Sequence, residues 1–162
     1  FLPWKGAGIA MDIFKKLDAK HDLNFCFAGG GTMLPELRRR AGKNFRFFVD
    51  VSTRNLGNIY RQCDILVSPT YYESFGCAIA EAAMCGVPAI STKVGAVPET
   101  VGRGGLLVDY GDWNGMEKAV ERLIDDTALR RKLSTAAIKH SSNYKQNIIV
   151  NKIIRSYEKS LA

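Results

Sequence analysis

The sequence is short of cysteine, histidine and long apolar runs, and each shortage argues against a class of protein. Its 162 residues hold two histidines and four cysteines, Cys26, Cys63, Cys77 and Cys85, none in a CxxC pair. This spacing argues against a structural metal site. The apolar neighbours of each cysteine predict buried, reduced thiols in a cytosolic protein. No apolar run reaches the roughly 18 residues of a membrane span.

The chain also begins without a secretory leader or an initiating Met. Residues Phe1 to Lys5 lack both the basic and the apolar region of a signal peptide. We therefore expect a cytoplasmic protein, and the missing Met predicts that the chain is a fragment. With 46% apolar and 24% charged residues, its length fits one folded domain with a sizeable core.

The formal net charge of +7 predicts an acidic partner without identifying it. Nucleoside diphosphates, nucleic acid and anionic membrane surfaces all fit that description. The main basic runs, Arg38-Arg39-Arg40 and Arg130-Arg131-Lys132, fall on predicted helices, where a solvated helix face is the simpler explanation.

Short apolar runs alternate with longer amphipathic runs along the chain. The short runs predict strands at 23–28, 45–49, 64–68, 87–91 and 106–108. The amphipathic runs predict helices at 7–19, 34–41, 56–63, 74–85, 113–125, 128–140 and 144–161. This order predicts a single Rossmann-like α/β domain over residues 1–162, with a doubly wound parallel sheet and extra C-terminal helices.

The last three predicted helices follow one another without a strand between them. This predicts a C-terminal tail that packs back over another part of the protein, such as a missing partner domain. Asp126-Thr127 precedes the second of these helices and is expected to supply its N-cap. Because parallel α/β sheets bind ligands beyond the carboxyl ends of their strands, the loops after strands are where we look for chemistry.

The most informative loop follows the third predicted strand and leads into an apolar helix. Ser74 is expected to cap that helix, and Gly76 allows a ligand to approach the backbone closely. The free N–H groups of the first helical turn, with the helix dipole, predict a site for a diphosphate.

Two glutamates flank this helix start, Glu73 in the loop and Glu81 eight residues later on the helix. A carboxylate accepts paired hydrogen bonds from vicinal hydroxyls, so the pair fits two sugar rings on either side of a diphosphate. In the simpler alternative, Glu73 only complements the helix dipole and Glu81 is a solvated helix residue. The neighbours of Glu81 are apolar nearly all round the helix, so we expect Glu81 to be largely buried.

These residues together resemble the EX7E region of the family 4 retaining glycosyltransferases, which have the two-domain GT-B architecture. The likeness covers nearly the whole chain and consists of an ordered set of motifs at family spacings. The set comprises Trp4-Lys5-Gly6, Pro69-Thr70, Glu73-Ser74-Phe75-Gly76, Glu81-Ala82, Gly86-Val87-Pro88, Val94-Gly95, Val97-Pro98-Glu99 and Gly104-Gly105-Leu106-Leu107-Val108-Asp109.

The resemblance implies a C-terminal domain that binds a nucleotide-diphosphate sugar, with the acceptor-binding N-terminal domain absent from this chain. Glu73 then holds hydroxyls of the transferred sugar and Glu81 the ribose diol. Lys5 neutralises the diphosphate, and Lys5 and Glu73 are the implied catalytic residues. The implied donor-binding set is Glu73, Ser74, Phe75, Gly76, Cys77 and Glu81, with the backbone amides around Phe75 to Cys77 helping Lys5.

The resemblance also implies that Phe48, Val51 and Arg54 lie near the base. It implies no required metal and no cofactor, a saccharide or lipid-linked acceptor, a role in polysaccharide biosynthesis, and a possible peripheral contact with the inner membrane face. Nucleic acid is not an implied partner.

Two departures from the family pattern stand out. Family members carry Gly-Arg at the end of a first strand just before the position of Phe1, and both strand and arginine are absent here. Val49 also replaces a family glycine. Two other functions stay open, a nucleotide-sugar epimerase on the same architecture and a non-enzymatic α/β phosphate- or nucleotide-binding module.

Overall fold

The computed structural model describes residues 1–161, and helices and strands alternate through most of them. The strands are β1 (Phe25–Ala28), β2 (Phe45–Phe48), β3 (Leu66–Ser68), β4 (Ala89–Thr92) and β5 (Gly105–Val108). The helices are α1 (Ala7–Asp18), α2 (Leu34–Arg40), α3 (Thr53–Tyr60), α4 (Cys77–Met84), α5 (Val97–Val101), α6 (Trp113–Asp125), α7 (Thr127–Ser141) and α8 (Gln146–Leu161). Short 3₁₀ turns at Pro3–Lys5 and Ser142–Tyr144 precede α1 and α8.

Helices α3 and α4 begin at other residues than predicted, because the N-cap residue fixes where each helix starts. Helix α3 begins at Thr53, because the Ser52 side chain accepts the N–H of Asn55 and so caps an earlier turn. Helix α4 begins at Cys77, and its N-cap is Gly76, with φ of 89° and no side-chain cap. The predicted capping role of Ser74 is therefore wrong.

The prediction missed one helix, and it placed one cap correctly. Helix α5 spans only Val97–Val101, too short to show a helical period. The Asp126 side chain accepts the N–H of Leu129 at 2.8 Å, so the N-cap predicted at Asp126-Thr127 is confirmed, with Asp126 as the capping residue.

All strand pairs are parallel, which confirms the predicted class of sheet. In one sheet β1 pairs with β2, with Phe25 opposite Phe45. In the other, β4 lies between β3 and β5, with Ala89 opposite both Leu66 and Gly105. The described residues thus form a two-stranded and a three-stranded sheet, where we had expected one.

A large cavity of about 1010 Å³ lies between the facing edges of β1 and β3. The N–H of Phe25 donates to Asn44, that of Gly29 to Phe48, and that of Leu66 to Pro88. Because successive N–H groups point to opposite sides of a strand, those of Cys26, Ala28 and Val67 point into this gap.

The core lies between the sheets and helices α1 and α6. Fully buried side chains there include Met11, Leu17, Met116 and Leu123. Each contributes about 1.5–3 kcal/mol relative to an exposed position. Aromatic rings extend this core across β1, since Phe25 stacks between Phe14 at 4.8 Å and Phe45 at 4.7 Å.

The C-terminal tail divides into a packed and an exposed part. Helix α7 packs on α4 and buries Leu133 and Ala137, whereas α8 buries none of its side chains within the described residues. No helix among residues 1–161 is both long and apolar enough to cross a membrane.

The four cysteines are more exposed than predicted. Cys26 and Cys77 are exposed, and Cys63 and Cys85 are half-buried. Cys26 alternates along β1 with the buried Phe25 and Phe27, so it lies on the opposite face of the strand. Cys77 is the first residue of α4, and its side chain borders the open cavity.

Candidate functional site

The first turn of the chain is held against the loop after β3 by the backbone. The carbonyl of Trp4 accepts the N–H of Tyr71 at 2.8 Å and the hydroxyl of Thr70 at 3.1 Å. At Gly6, with φ of 70°, an added Cβ would lie 2.0 Å from the carbonyl oxygen of Pro69. Only glycine therefore fits between Lys5 and α1 at this crossing.

This crossing brings Lys5 to Glu73, 68 residues later in the sequence. The Lys5 Nζ donates to Glu73 Oε2 at 2.6 Å, with 47% of the lysine side chain and 15% of the glutamate side chain exposed. The pair lies in front of the N-terminus of α4, where the helix dipole favours negative charge.

The surroundings of Glu73 keep it ionised. Partial burial alone would raise the pKa of Glu73, but the hydrogen bond and charge of Lys5 oppose it, and the net effect lowers the pKa below its ordinary value. The nearby backbone N–H groups of Gly76 and Phe75 act in the same direction. The carboxylate of Glu73 thus lies where the sequence predicted that an anion would lie.

The backbone of Glu73 is fixed by a second glycine. The carbonyl of Glu73 accepts the N–H of Ala96 at 3.2 Å. At Gly95, with φ of 50°, an added Cβ would lie 2.0 Å from that same carbonyl oxygen. The Val94-Gly95 motif therefore holds Glu73 in position from the loop after β4.

Glu81 lies further along α4 and is half-buried rather than largely buried. The burial expected from the apolar neighbours of Glu81 is absent at Ala78 and Met84, which are exposed although apolar. The Glu81 carboxylate accepts the hydroxyl of Tyr60 at 3.1 Å through Oε2. Burial, followed by the charge and hydrogen bond of Glu81, raises the pKa of Tyr60.

The large cavity between β1 and β3 is lined by the side chains of the candidate site, namely Lys5, Glu73, Cys77, Glu81 and Tyr60. The cavity thus brings together three predicted site residues with charged side chains and one tyrosine that the sequence did not indicate. Tyr60 lies 21 residues before Glu81, a separation that carries no local pattern.

Other predicted site residues lie outside this cavity. Phe75 packs its ring against Tyr144 at 5.2 Å and accepts the Thr100 hydroxyl at its carbonyl, and Ser74 is exposed. Phe48 lines a second cavity of about 330 Å³, and neither Val51 nor Arg54 lines either one. Their roles near a base stay predictions.

The described residues hold no group of three or more His, Cys, Asp and Glu side chains that is suited to bind a metal. The cations and dipoles of the site are Lys5 and the α4 N-terminus. Together with two carboxylates, they can bind a ligand that carries both negative charge and hydroxyl groups.

Known proteins resemble this chain in sequence and in fold. A D-inositol 3-phosphate glycosyltransferase of Corynebacterium diphtheriae is 34% identical over 113 residues, which are 67% of this chain and 26% of the relative. An Anabaena protein, Alr3699/HepE, solved in complex with UDP-glucose, has a TM-score of 0.82 at 22% identity, over 99% of this chain and 46% of its own.

A third likeness covers most of a solved domain. The C-terminal domain of a glycosyl transferase group 1 family protein (LpcC) from Francisella tularensis has a TM-score of 0.80 at 24% identity, over 90% of this chain and 83% of its own. This chain spans about a quarter of the Corynebacterium relative. The profile of the family described as Glycosyl transferases group 1 matches residues 1–140, so the chain belongs to that family and has the fold of a GT-B C-terminal domain.

Proposed function

We propose that the whole protein is a retaining glycosyltransferase and that this domain binds its nucleotide-diphosphate sugar. The observation that carries the proposal is one cavity that holds Lys5, Glu73 and Glu81 at the start of α4. The HepE structure, which contains UDP-glucose, supports the class of donor. The acceptor is a saccharide or a lipid-linked molecule bound by an N-terminal domain, in a pathway of polysaccharide assembly.

In this proposal the Lys5–Glu73 pair opens when the donor arrives. Lys5 moves to the diphosphate, whose departure it stabilises, and the α4 N-terminus adds its dipole. Glu73 is left to accept hydroxyls of the transferred sugar. The lowered pKa of Glu73 keeps it an acceptor at neutral pH, and Glu81 receives the ribose diol.

No metal or cofactor is needed in this proposal, because Lys5 and the helix dipole balance the charge of the leaving group. Glu73 orients the sugar and is not a nucleophile. Glu73 and Glu81 belong to one loop–helix segment, whereas the carboxylates of a glycosidase face each other across the bond that breaks.

The experiment is a titration of the full-length protein with UDP, GDP and ADP by calorimetry. We expect one of them to bind, and Lys5→Met and Glu81→Ala to weaken that binding about tenfold or more, since each removes a charged contact. Lys159→Met, on the exposed helix α8, is the matched control. A folded protein that binds none of them contradicts the proposal.

Catalysis is tested with the sugar conjugate of the nucleotide that binds. We expect transfer with retained anomeric configuration, read by NMR, and the same rate in excess chelator. Donor binding without transfer or hydrolysis would instead favour a non-enzymatic nucleotide-binding module.

We further propose that, in the whole protein, the segment before Phe1 forms a parallel strand between β1 and β3. The N–H groups of Cys26, Ala28 and Val67 point into that gap and have no backbone partner among residues 1–161, and Phe1 itself lines the cavity. A parallel strand there would end beside Lys5. Its last side chain would adjoin the Lys5–Glu73 pair.

A further inference from the structure

The hydrogen bond between Tyr60 and Glu81 links two helices at the edge of the cavity. Tyr60 is the last residue of α3, and Glu81 lies in the middle of α4. The donor is the tyrosine hydroxyl and the acceptor is Glu81 Oε2, 3.1 Å apart. A weak contact of the thiol of Cys85, the C-cap residue of α4, with the Gly57 carbonyl of α3 lies nearby, at 3.9 Å.

Tyr60 can only donate in this bond at neutral pH. Its ring is half-buried, and burial together with the charge of Glu81 raises its pKa. A phenol that stays protonated supplies one fixed O–H, which is directed at one carboxylate oxygen. The other oxygen of Glu81 is left to accept from a ligand.

The partner of Glu81 is neutral, in contrast to the partner of Glu73. Lys5 forms an ion pair with Glu73, whereas no ion pair to Glu81 occurs among residues 1–161. A hydroxyl donor fixes the rotamer of a carboxylate without cancelling its charge. The full charge then remains for hydrogen bonds from a diol.

We infer that Tyr60 is a positioning residue that orients the Glu81 carboxylate to accept both hydroxyls of the nucleotide ribose. This inference rests on the proposed function and deepens it, because it makes Tyr60 a determinant of specificity for ribonucleotides over 2′-deoxyribonucleotides. Tyr60 acts through Glu81 and is not itself required to touch the ligand.

The test compares Tyr60→Phe with the unaltered full-length protein in binding a ribonucleoside diphosphate and its 2′-deoxy form. The nucleotide is whichever of UDP, GDP and ADP binds the unaltered protein most tightly. We expect Tyr60→Phe to weaken binding of the ribonucleotide about tenfold, the effect of one hydrogen bond to a charged group. Binding of the deoxynucleotide should change by less than about twofold, so the preference for ribose shrinks.

Two variants serve as references for this comparison. Tyr157→Phe removes a hydroxyl from an exposed tyrosine on α8 and should leave both affinities unchanged. Glu81→Ala should remove most of the preference for ribose, and adding Tyr60→Phe to it should change nothing more. Thermal denaturation of each variant establishes that it is folded.

The outcomes separate this inference from the proposed function. Equal weakening of both nucleotides by Tyr60→Phe, or no weakening of either, overturns the role of Tyr60 and makes the bond a packing contact. If the unaltered protein binds no nucleoside diphosphate, the proposed function fails first. If it binds one but Glu81→Ala keeps the ribose preference, the inference fails while donor binding stands.

Discussion

Glycine at position 95 lets two loops approach more closely than any side chain would allow. Its backbone has φ of 50°, and an added Cβ would lie 2.0 Å from the carbonyl oxygen of Glu73. Gly111 offers a comparison: its φ is also positive, at 95°, but an added Cβ there would meet nothing within 4 Å. Substituting alanine at each position therefore distinguishes two costs: a positive φ alone at Gly111, and a positive φ with a steric overlap at Gly95.

We expect Gly95→Ala to destabilise the protein by about 3 kcal/mol or more, because a backbone carbonyl cannot move away from the new methyl group cheaply. Gly111→Ala should cost only about 1–2 kcal/mol, from the left-handed backbone alone. Urea denaturation of both variants measures the difference. Equal losses would mean that the loop around Gly95 can shift without strain.

Helix ends are decided by individual side chains, and the α6–α7 junction gives a clear case. The Asp126 side chain accepts the N–H of Leu129 at 2.8 Å, at the start of α7. Asp126→Ala should lower the free energy of unfolding by about 1 kcal/mol, because that N–H loses its partner. The neighbouring Asp125→Ala, at an exposed position, is the control and should change little. The prediction is contradicted if the two variants lose the same stability.

Helices α1 and α6 are joined by a buried carboxylate. Glu117 on α6 is 7% exposed, and it accepts hydrogen bonds from Lys20, just after α1, at 2.8 Å and from Lys16, on α1, at 3.1 Å. The hydrogen bond from Lys20, then that from Lys16, lowers the pKa of Glu117 below its ordinary value of 4.5. The pair of helices therefore depends on an ionised Glu117.

A lowered pKa in the folded state makes the contribution of Glu117 dependent on pH. It is fully present above pH 4.5, the ordinary value, and it is lost as the pH falls through the lowered value, because protonation favours the unfolded chain. Glu117→Gln should therefore be less stable at pH 7 and show a shallower loss of stability as the pH falls below 4.5. Glu158→Gln on α8 is the control. A pH profile of Glu117→Gln that parallels the original would refute the linkage.

At the scale of the whole molecule, the parallel sheet is divided by a cavity. Within residues 1–161, the carbonyls and N–H groups at the facing edges of β1 and β3 have no strand partner across the gap, and such edges readily pair with another segment. The proposal that the upstream segment fills the gap makes a prediction for three amides, those of Cys26, Ala28 and Val67.

We expect these three amides to exchange rapidly with deuterium in the 162-residue chain and slowly in the full-length protein, because a central strand would occupy the gap. The N–H groups of Phe25 and Leu66, which already pair with Asn44 and Pro88, are internal references. In the 162-residue chain, these two reference amides should exchange more slowly than the three gap amides. In the full-length protein, they should still exchange slowly. Equal, rapid exchange of the gap amides in both would refute the proposal.

Local patterns in the sequence were sufficient for several features, for physical reasons that act over a few residues. The alternation of apolar runs gave the order of strands and helices, and Asp126 indicated its own cap, because both depend on near neighbours. Two local features were still missed. Gly76 rather than Ser74 is the N-cap of α4, through its positive φ, and α5 is too short to show a helical period.

The sequence by itself determined the parallel α/β class and the residues that could carry charge, Lys5, Glu73 and Glu81. Only the tertiary structure decided which groups they meet. It joined Lys5 to Glu73 across 68 residues and Tyr60 to Glu81 across 21. The physical reason is that the packing of strands and loops brings together side chains that are far apart in the sequence. Local residue spacing carries no information about such contacts. The same stacking left the gap between β1 and β3 that divides the sheet.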